Sequence, residues 1–257
     1  MPEGFARRLE GRVCAVTGAA RGIGLAIAAR LADEGGRVAA LDVSERRLGP
    51  AVAGLAGRGR DIRGFACDVA SRASVADAMA RVERNFGAPV GVLVNNAVWA
   101  RFQPLADIDE ETVARMASVG LAGLIWTMQA AAAQMRRAGG GSIVNLGSVA
   151  GRHPQVRSIA YAAVKAGVLG LTRAAAVELS PDRIRVNAIV PGMVGTEASK
   201  GQYDAPTLAA REGAMPLGRF GEPSEIASAA AFLASDDAAY VQGAELVVDG
   251  GWTVGRA

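Results

Sequence analysis

An apolar run, Val13–Thr17, opens directly into Thr17-Gly18-Ala19-Ala20-Arg21-Gly22-Ile23-Gly24, and a helix-forming stretch follows without a gap. Glycines placed there are wasteful as mere connectors, since each weakens the start of an otherwise good helix by about 1 kcal/mol relative to alanine. They let the backbone turn sharply and admit a pyrophosphate to the free N–H groups and positive end of the helix. A strand, glycine turn and helix in that order commit the chain to β-α-β construction, because parallel strands can be joined only by a long crossover.

The rest of the chain continues the pattern. Apolar, β-branched runs at Val13–Thr17, Val38–Asp42, Ile62–Cys67, Val92–Asn95, Ser142–Leu146, Arg185–Ile189 and Glu245–Val248 predict seven strands. Helical periodicity fills the intervals, most strongly over Glu110–Arg137 and Ile159–Leu179. The expected fold is a doubly wound (Rossmann) seven-stranded parallel sheet with helices on both faces, and ligand at the carboxyl ends of the strands near the reversal of strand order. At 257 residues, with no linker-like tract, one domain over 1–257 is expected. Its cofactor half covers about 11–97 and its catalytic and substrate half about 98–257.

Composition narrows the function classes. One histidine, His153, excludes histidine-rich zinc sites and leaves little room for a histidine triad. Cys14 and Cys67 fall in predicted strands without metal-type spacing and read as small core residues, so no metal is expected. A net charge of +3, with arginines interleaved among acids, argues against nucleic acid. No apolar run approaches the 18 residues a membrane span needs, and Met1–Gly11 lacks a signal-peptide core. The expectation is a cytoplasmic protein with no membrane partner.

Tyr161 precedes Lys165 by four residues, and Lys165 is one of two lysines among 28 basic residues. On a helix the two side chains lie one turn apart on one face, and an ammonium beside a phenol favours phenolate. Bringing a phenol from pH ~10 to about 7–8 takes about 3–4 kcal/mol of differential stabilisation, which asks for a second cation besides the lysine. Asp42 closes the second strand, where a carboxylate can accept from an adenosine ribose and repel a 2′-phosphate. Arg21, with Arg46 and Arg47, pulls the other way, and NAD is favoured over NADP. Asp68, next to Val69 after the third strand, either accepts from the adenine amine or caps the following helix.

With Thr17-Gly18-x-x-x-Gly22-Ile23-Gly24, Asn95-Asn96-Ala97, Ser148, Tyr161-x-x-x-Lys165 and Pro191-Gly192 in this order, nearly the whole chain resembles the short-chain dehydrogenase/reductase family. The resemblance implies NAD(P)-dependent hydride transfer between a secondary alcohol and a ketone. It implies Tyr161 as general acid or base, Ser148 as the group holding the carbonyl oxygen, and Lys165 as the residue that lowers the phenol's pKa and binds the nicotinamide ribose. It also places Asn95 and Ala97 along the cofactor cleft and Val194 and Thr196, after Pro191-Gly192, at the nicotinamide carboxamide. The family's usual glycine after Asn-Asn-Ala is Val98 here, followed by Trp99. The asparagine of the family's proton relay is replaced by Gly120, whose carbonyl and kink-permitting backbone imply a working but slower or differently gated relay.

Trp99, Arg101 and Phe102 are candidates for one pocket wall and Met193 for another, with 197–215 as either a lid or loop filler; His153 is either a substrate contact or an exposed loop residue. The acidic run Asp107–Glu111 reads as a helix N-terminus. The apolar faces of the two long helices, and the family's four-helix dimer contact, point to a homotetramer. A 3-oxoacyl-[acyl-carrier-protein] reductase is one alternative, kept open by Arg136, Arg137 and Arg183. A non-catalytic dinucleotide-binding redox sensor is another, against which the complete Ser148, Tyr161 and Lys165 set stands.

Overall fold

Seven strands, β1 (Val13–Thr17), β2 (Arg37–Asp42), β3 (Ile62–Ala66), β4 (Val90–Asn95), β5 (Gly141–Leu146), β6 (Ile184–Pro191) and β7 (Glu245–Val248), pair in parallel in the order β3-β2-β1-β4-β5-β6-β7. The computed structural model describes residues 7–201 and 204–255. Valine, isoleucine and alanine dominate the central strands, which are buried on both faces as a helix-covered parallel sheet requires. Helices α1 (Gly22–Asp33), α2 (Glu45–Ala56) and α9 (Pro223–Ala234) cover one face. The other face carries α3 (Arg72–Phe86), α5 (Gly123–Ala138) and α6 (Ile159–Leu179).

The predicted strands are all present, and the differences lie at their ends. β2 begins at Arg37, β4 at Val90 and β5 at Gly141, each slightly earlier than expected, while β6 runs on to Pro191. A third apolar cluster, with Val149, Leu169, Met215, Phe220 and Trp252, sits beside the carboxyl ends of β5 and β6. Leu208 packs against it from α8 (Ala205–Gly213), which with α7 (Glu197–Lys200) stands where the lid was expected; Gln202 and Tyr203 lie outside the described residues.

The long helix predicted at Glu110–Arg137 is interrupted. It consists of α4 (Glu110–Ala117), a five-residue π turn Ser118–Ala122, and α5, with the Gly123 N–H bonded to the Ser118 carbonyl. Gly120 lies at the centre of the turn, as its kink-permitting role implied. Asp109 caps α4 by accepting from the Thr112 N–H at 2.7 Å, so the acidic run is a helix N-terminus.

The expected lack of span-length apolar segments needs correction. Glu110–Ala138 and Ile159–Asp182 are long and apolar enough to cross a membrane, with mean hydropathies of 1.3 and 1.2. Alanine raises these averages without an unbroken bulky run, and both helices lie against the sheet with part of their apolar surface exposed.

Candidate active site

The strand order reverses between β1 and β4, and the glycine turn leaves β1 at that point. Gly18 and Gly22 hold positive φ (+64° and +57°), which glycine adopts without strain. Any Cβ on Gly24 would overlap the Gly18 carbonyl oxygen and come within 2.5 Å of Asn96 Nδ2. Asn96, to which the Asn-Asn-Ala motif alone gives no role, braces the turn. Its Nδ2 donates to the carbonyls of Thr17 (2.9 Å) and Gly18 (3.1 Å), while Thr17 Oγ1 accepts from the N–H groups of Asn96 and Ala97 (3.0 Å each). The signal was the doubled asparagine directly after a strand.

Helix α1 begins with no side-chain cap and no acid in its first turn. Its leading N–H groups and positive end are therefore available to an anion, and this observation fits a dinucleotide pyrophosphate. Asp42 stands beside the turn, with Oδ2 accepting from Ala20 N–H (3.1 Å) and Oδ1 from Ser44 N–H (2.9 Å). Arg21 is exposed at the helix start, and Arg47 Nε donates to Ser44 Oγ at 3.2 Å. Asp68 is exposed and turns on itself through Ala70 N–H; the cap of α3 is Ser71, so the capping alternative for Asp68 is overturned. Val69 is buried against Gly123.

Asn95 is placed differently from expectation. Its side chain is buried in a polar string inside the sheet. Thr127 Oγ1 donates to Asn95 Oδ1 (2.7 Å), Asn95 Nδ2 to Asn145 Oδ1 (2.9 Å), and Asn145 Nδ2 to Thr172 Oγ1 (3.0 Å), which donates to the Val168 carbonyl (2.8 Å). The string ties α5 to α6 through β4 and β5.

A cavity of about 220 Å³ opens where these elements meet. Ser148, Tyr161 and Lys165 line it together, with Ile23 from the glycine turn and Gly192, Val194 and Thr196 beyond β6. Gly192 is required by close approach, since a Cβ there would lie 2.7 Å from Asp249 Cα. Thr196 caps α7 in a reciprocal box with Ser199, a lining residue missed by sequence reasoning although the Thr-x-x-Ser spacing marks such a cap.

The Lys165 amine is buried and Tyr161 is half-buried, with its hydroxyl withdrawn from solvent. Lys165 Nζ donates to the Leu146 carbonyl at 2.6 Å and lies 5.8 Å from the centre of the Tyr161 ring. Burial pushes the lysine down to about 8. It also raises the Tyr161 phenol above its ordinary value, against which the hydrogen bond with Ser148 pulls down. The expectation asked for a second cation besides the lysine, and in the protein alone, without one, desolvation of the phenolate is the larger effect.

Phe102 packs its ring 5.2 Å from that of Tyr161 and leaves its outer half exposed at the mouth. Trp99 is held under the Arg115 guanidinium at 4.7 Å, and Arg101 lies 3.7 Å from Asp109. Met193 packs against the Trp252 cluster, and His153 is an exposed loop residue. Neither Met193, Trp99 nor His153 lines the cavity around Tyr161.

A protein-family profile described as enoyl-(acyl carrier protein) reductase matches residues 18–253. The chain is 42% identical over 250 residues to D-threitol dehydrogenase of Mycolicibacterium smegmatis, covering 97% of this chain and 96% of the relative. It is also 42% identical over 258 residues to galactitol 2-dehydrogenase (L-tagatose-forming) of Cereibacter sphaeroides, covering 96% and 97%. A crystal structure from Sinorhizobium meliloti 1021, described as a short-chain alcohol dehydrogenase, superposes with a TM-score of 0.91 at 37% identity, covering 96% of this chain and 98% of that one.

Proposed function

The chain belongs to the short-chain dehydrogenase/reductase family, and from that premise we propose that it interconverts a polyol and the matching ketose-type ketone, with NAD(H) preferred and Tyr161 as general acid and base. The class is an NAD(P)-dependent oxidoreductase acting on a secondary alcohol or ketone. The observation that carries the site assignment is the meeting of Ser148, Tyr161 and Lys165 in one cavity, beside the uncapped start of α1.

Gly18, Gly22, Ile23 and Gly24 present the turn and helix start to the pyrophosphate, and Asp42 accepts from the adenosine ribose. Asp68 and Val69 flank the adenine, and Ala97, Pro191, Gly192, Val194 and Thr196 line the nicotinamide end. A bound nicotinamide supplies or accepts the hydride and, when oxidised, brings the second positive charge that a phenolate needs. During alcohol oxidation Tyr161 Oη takes the hydroxyl proton while Ser148 Oγ holds the same oxygen; during reduction the proton returns. Lys165 Nζ stays fixed beside the phenol and reaches the nicotinamide ribose. Phe102 limits water at the mouth, Val98 adds bulk there, and 197–201 with 204–215 form the lid.

The two relatives named for threitol and galactitol support a polyol as substrate. The carrier-protein reading draws on the description of the matching profile, but Arg136 is paired with Asp182 at 2.6 Å and Arg137 with Glu83 at 2.7 Å. Two of the three arginines that kept it open are therefore already committed within the chain. Val113, Ile125 and Val177 leave apolar side chains exposed on α4, α5 and α6, which supports self-association as a homotetramer. A cytoplasmic location accords with this assignment.

Initial rates on threitol, galactitol, cyclic alcohols, hydroxy acids and acetoacetyl thioesters, each with NAD(H) and NADP(H), test the reading. Turnover of polyols that falls at least a thousandfold in Tyr161→Phe is expected. Turnover confined to a carrier-bound thioester would replace the polyol assignment, and full activity in Tyr161→Phe would remove the mechanism.

A further inference from the structure

Helix α6 carries Tyr161 and Lys165, and it meets the π turn through two matched notches. A Cβ on Gly120, in the buried centre of the turn, would overlap Val164 Cγ1. In return, a Cβ on Gly167 of α6 would lie 2.7 Å from Leu121 Cδ2 of the turn. Each element thus offers one side chain and one glycine. Val164 and Gly167, three residues apart, are neighbours on α6, and Val164 lies about 60° around the helix from Tyr161, so a push on Val164 is felt directly at the reacting pair. Elsewhere on the helix, Gly151, in the turn just after Ser148, approaches its backbone so closely that a Cβ would sit 2.9 Å from Lys165 C and Ala166 N.

We infer that Val164 is a positioning residue: seated in the notch left by Gly120, it fixes the height and rotation of α6, and positions 120 and 164 tolerate change only together. The inference rests on the reading of Tyr161 and Lys165 as the reacting pair. Valine has a stiff, branched side chain that cannot swing aside from an added carbon. Any side chain at 120, asparagine included, must therefore push α6 outward or distort the π turn while Val164 is present. The 2.6 Å bond from Lys165 Nζ to the Leu146 carbonyl spans α6 and β5, so it registers such a displacement directly. The missing side chain at 120 is thus matched by valine at 164, which occupies the space next to the turn.

The chain's two lysines allow a readout that needs no substrate. In a Lys200→Arg background, isotope-labelled lysine gives one side-chain signal, that of Lys165, whose titration follows the amine in its slot. Three variants are compared with this parent: Gly120→Ala, Val164→Ala and the double change. Gly120→Ala is expected to move the Lys165 midpoint toward ordinary lysine by roughly 0.5 pH unit or more, as the slot opens to water. The double variant is expected to return to within roughly 0.2 unit of the parent. Turnover of a polyol substrate should follow the same order, with about a tenfold loss in Gly120→Ala recovered in the double.

An unshifted midpoint in folded Gly120→Ala, or a double variant displaced as far as Gly120→Ala, overturns the inference. Should Gly120→Ala not fold, the double decides: folding with the parent's midpoint supports the coupling, and any other result ends it. Loss of the proposed function, through a fully active Tyr161→Phe, would leave these titrations as they are, so the two failures are distinguishable.

Discussion

Replacing Asp42 with asparagine should turn cofactor preference toward the 2′-phosphorylated form. The carboxylate is held in place, with one oxygen on Ala20 N–H and the other on Ser44 N–H, so it cannot rotate away from an incoming phosphate. Repulsion between two unit charges at contact is about 4 kcal/mol at an effective dielectric near 20, an unscreened ceiling. Asp42 is half-buried, and Arg21 and Arg47 stand nearby, so roughly 1.5–2.5 kcal/mol of that survives, a factor of about 10–70 in affinity. On the other side, a ribose hydroxyl bonded to a charged acceptor contributes about 1.5–3 kcal/mol, part of which asparagine forfeits. Fluorescence titration with NADH and NADPH reads both changes without any substrate. The ratio of the two dissociation constants should move by about a hundredfold toward NADPH. Asparagine keeps one acceptor and loses the other, so a stability loss of about 1 kcal/mol is expected, and a melting curve separates it from the binding effect. A parent protein that already prefers NADPH, or a folded variant whose NADPH affinity does not rise, would refute the reasoning and assign selectivity to the arginines.

Gly24→Ala should abolish dinucleotide binding in a folded protein, because its Cβ cannot coexist with the Gly18 carbonyl; calorimetry with NADH checks this. Lys165 is lowered from 10.5 to about 8 by burial, so between those values the unfolded chain holds a proton that the folded one has released, and stability rises with pH by up to about 3 kcal/mol. Buried Cys14 and Cys67, whose thiols are raised, oppose this above pH ~9, so the measurement is the difference between the parent and Lys165→Met in denaturant titrations from pH 7 to 10. The difference should shrink as pH rises, and a pH-independent one would show that Lys165 is not strained by burial. Glu34 is fully buried and receives Arg8 (2.6 and 2.7 Å) and Arg30 (2.7 Å), so Glu34→Ala should cost about 3–5 kcal/mol in urea unfolding.

The fold could be read from the chain because period and punctuation agree at every level: β-branched runs, helical intervals and glycines at the turn. Strand ends shifted by a residue or two, where pairing partners rather than side-chain type decide the last bond, as at Arg37 and Pro191. The residues of the site could be named, but not their electrostatics. Whether burial or the neighbouring ammonium governs the Tyr161 phenol depends on depth and distance, and neither is written in a Tyr-x-x-x-Lys spacing. Asn95 and Asn96 are chemically identical in sequence, and only strand alternation sends one into the sheet and the other to the glycine turn. Likewise, Gly120 announced a kink, while its fit to Val164 needed the packing of two helices distant in the chain.

The string from Thr127 to Thr172 has a direction. With the two amides as they stand, Thr172 gives its single proton to the Val168 carbonyl and receives from Asn145, the Asn145 oxygen receives from Asn95, and the Asn95 oxygen draws the Thr127 proton in competition with the Gly123 carbonyl 2.8 Å away. Turning either amide over would set like atoms face to face in a place no water reaches. The four positions therefore behave as one inherited word: a lineage can rewrite it whole, but a misspelling at any letter would be heard at both helices.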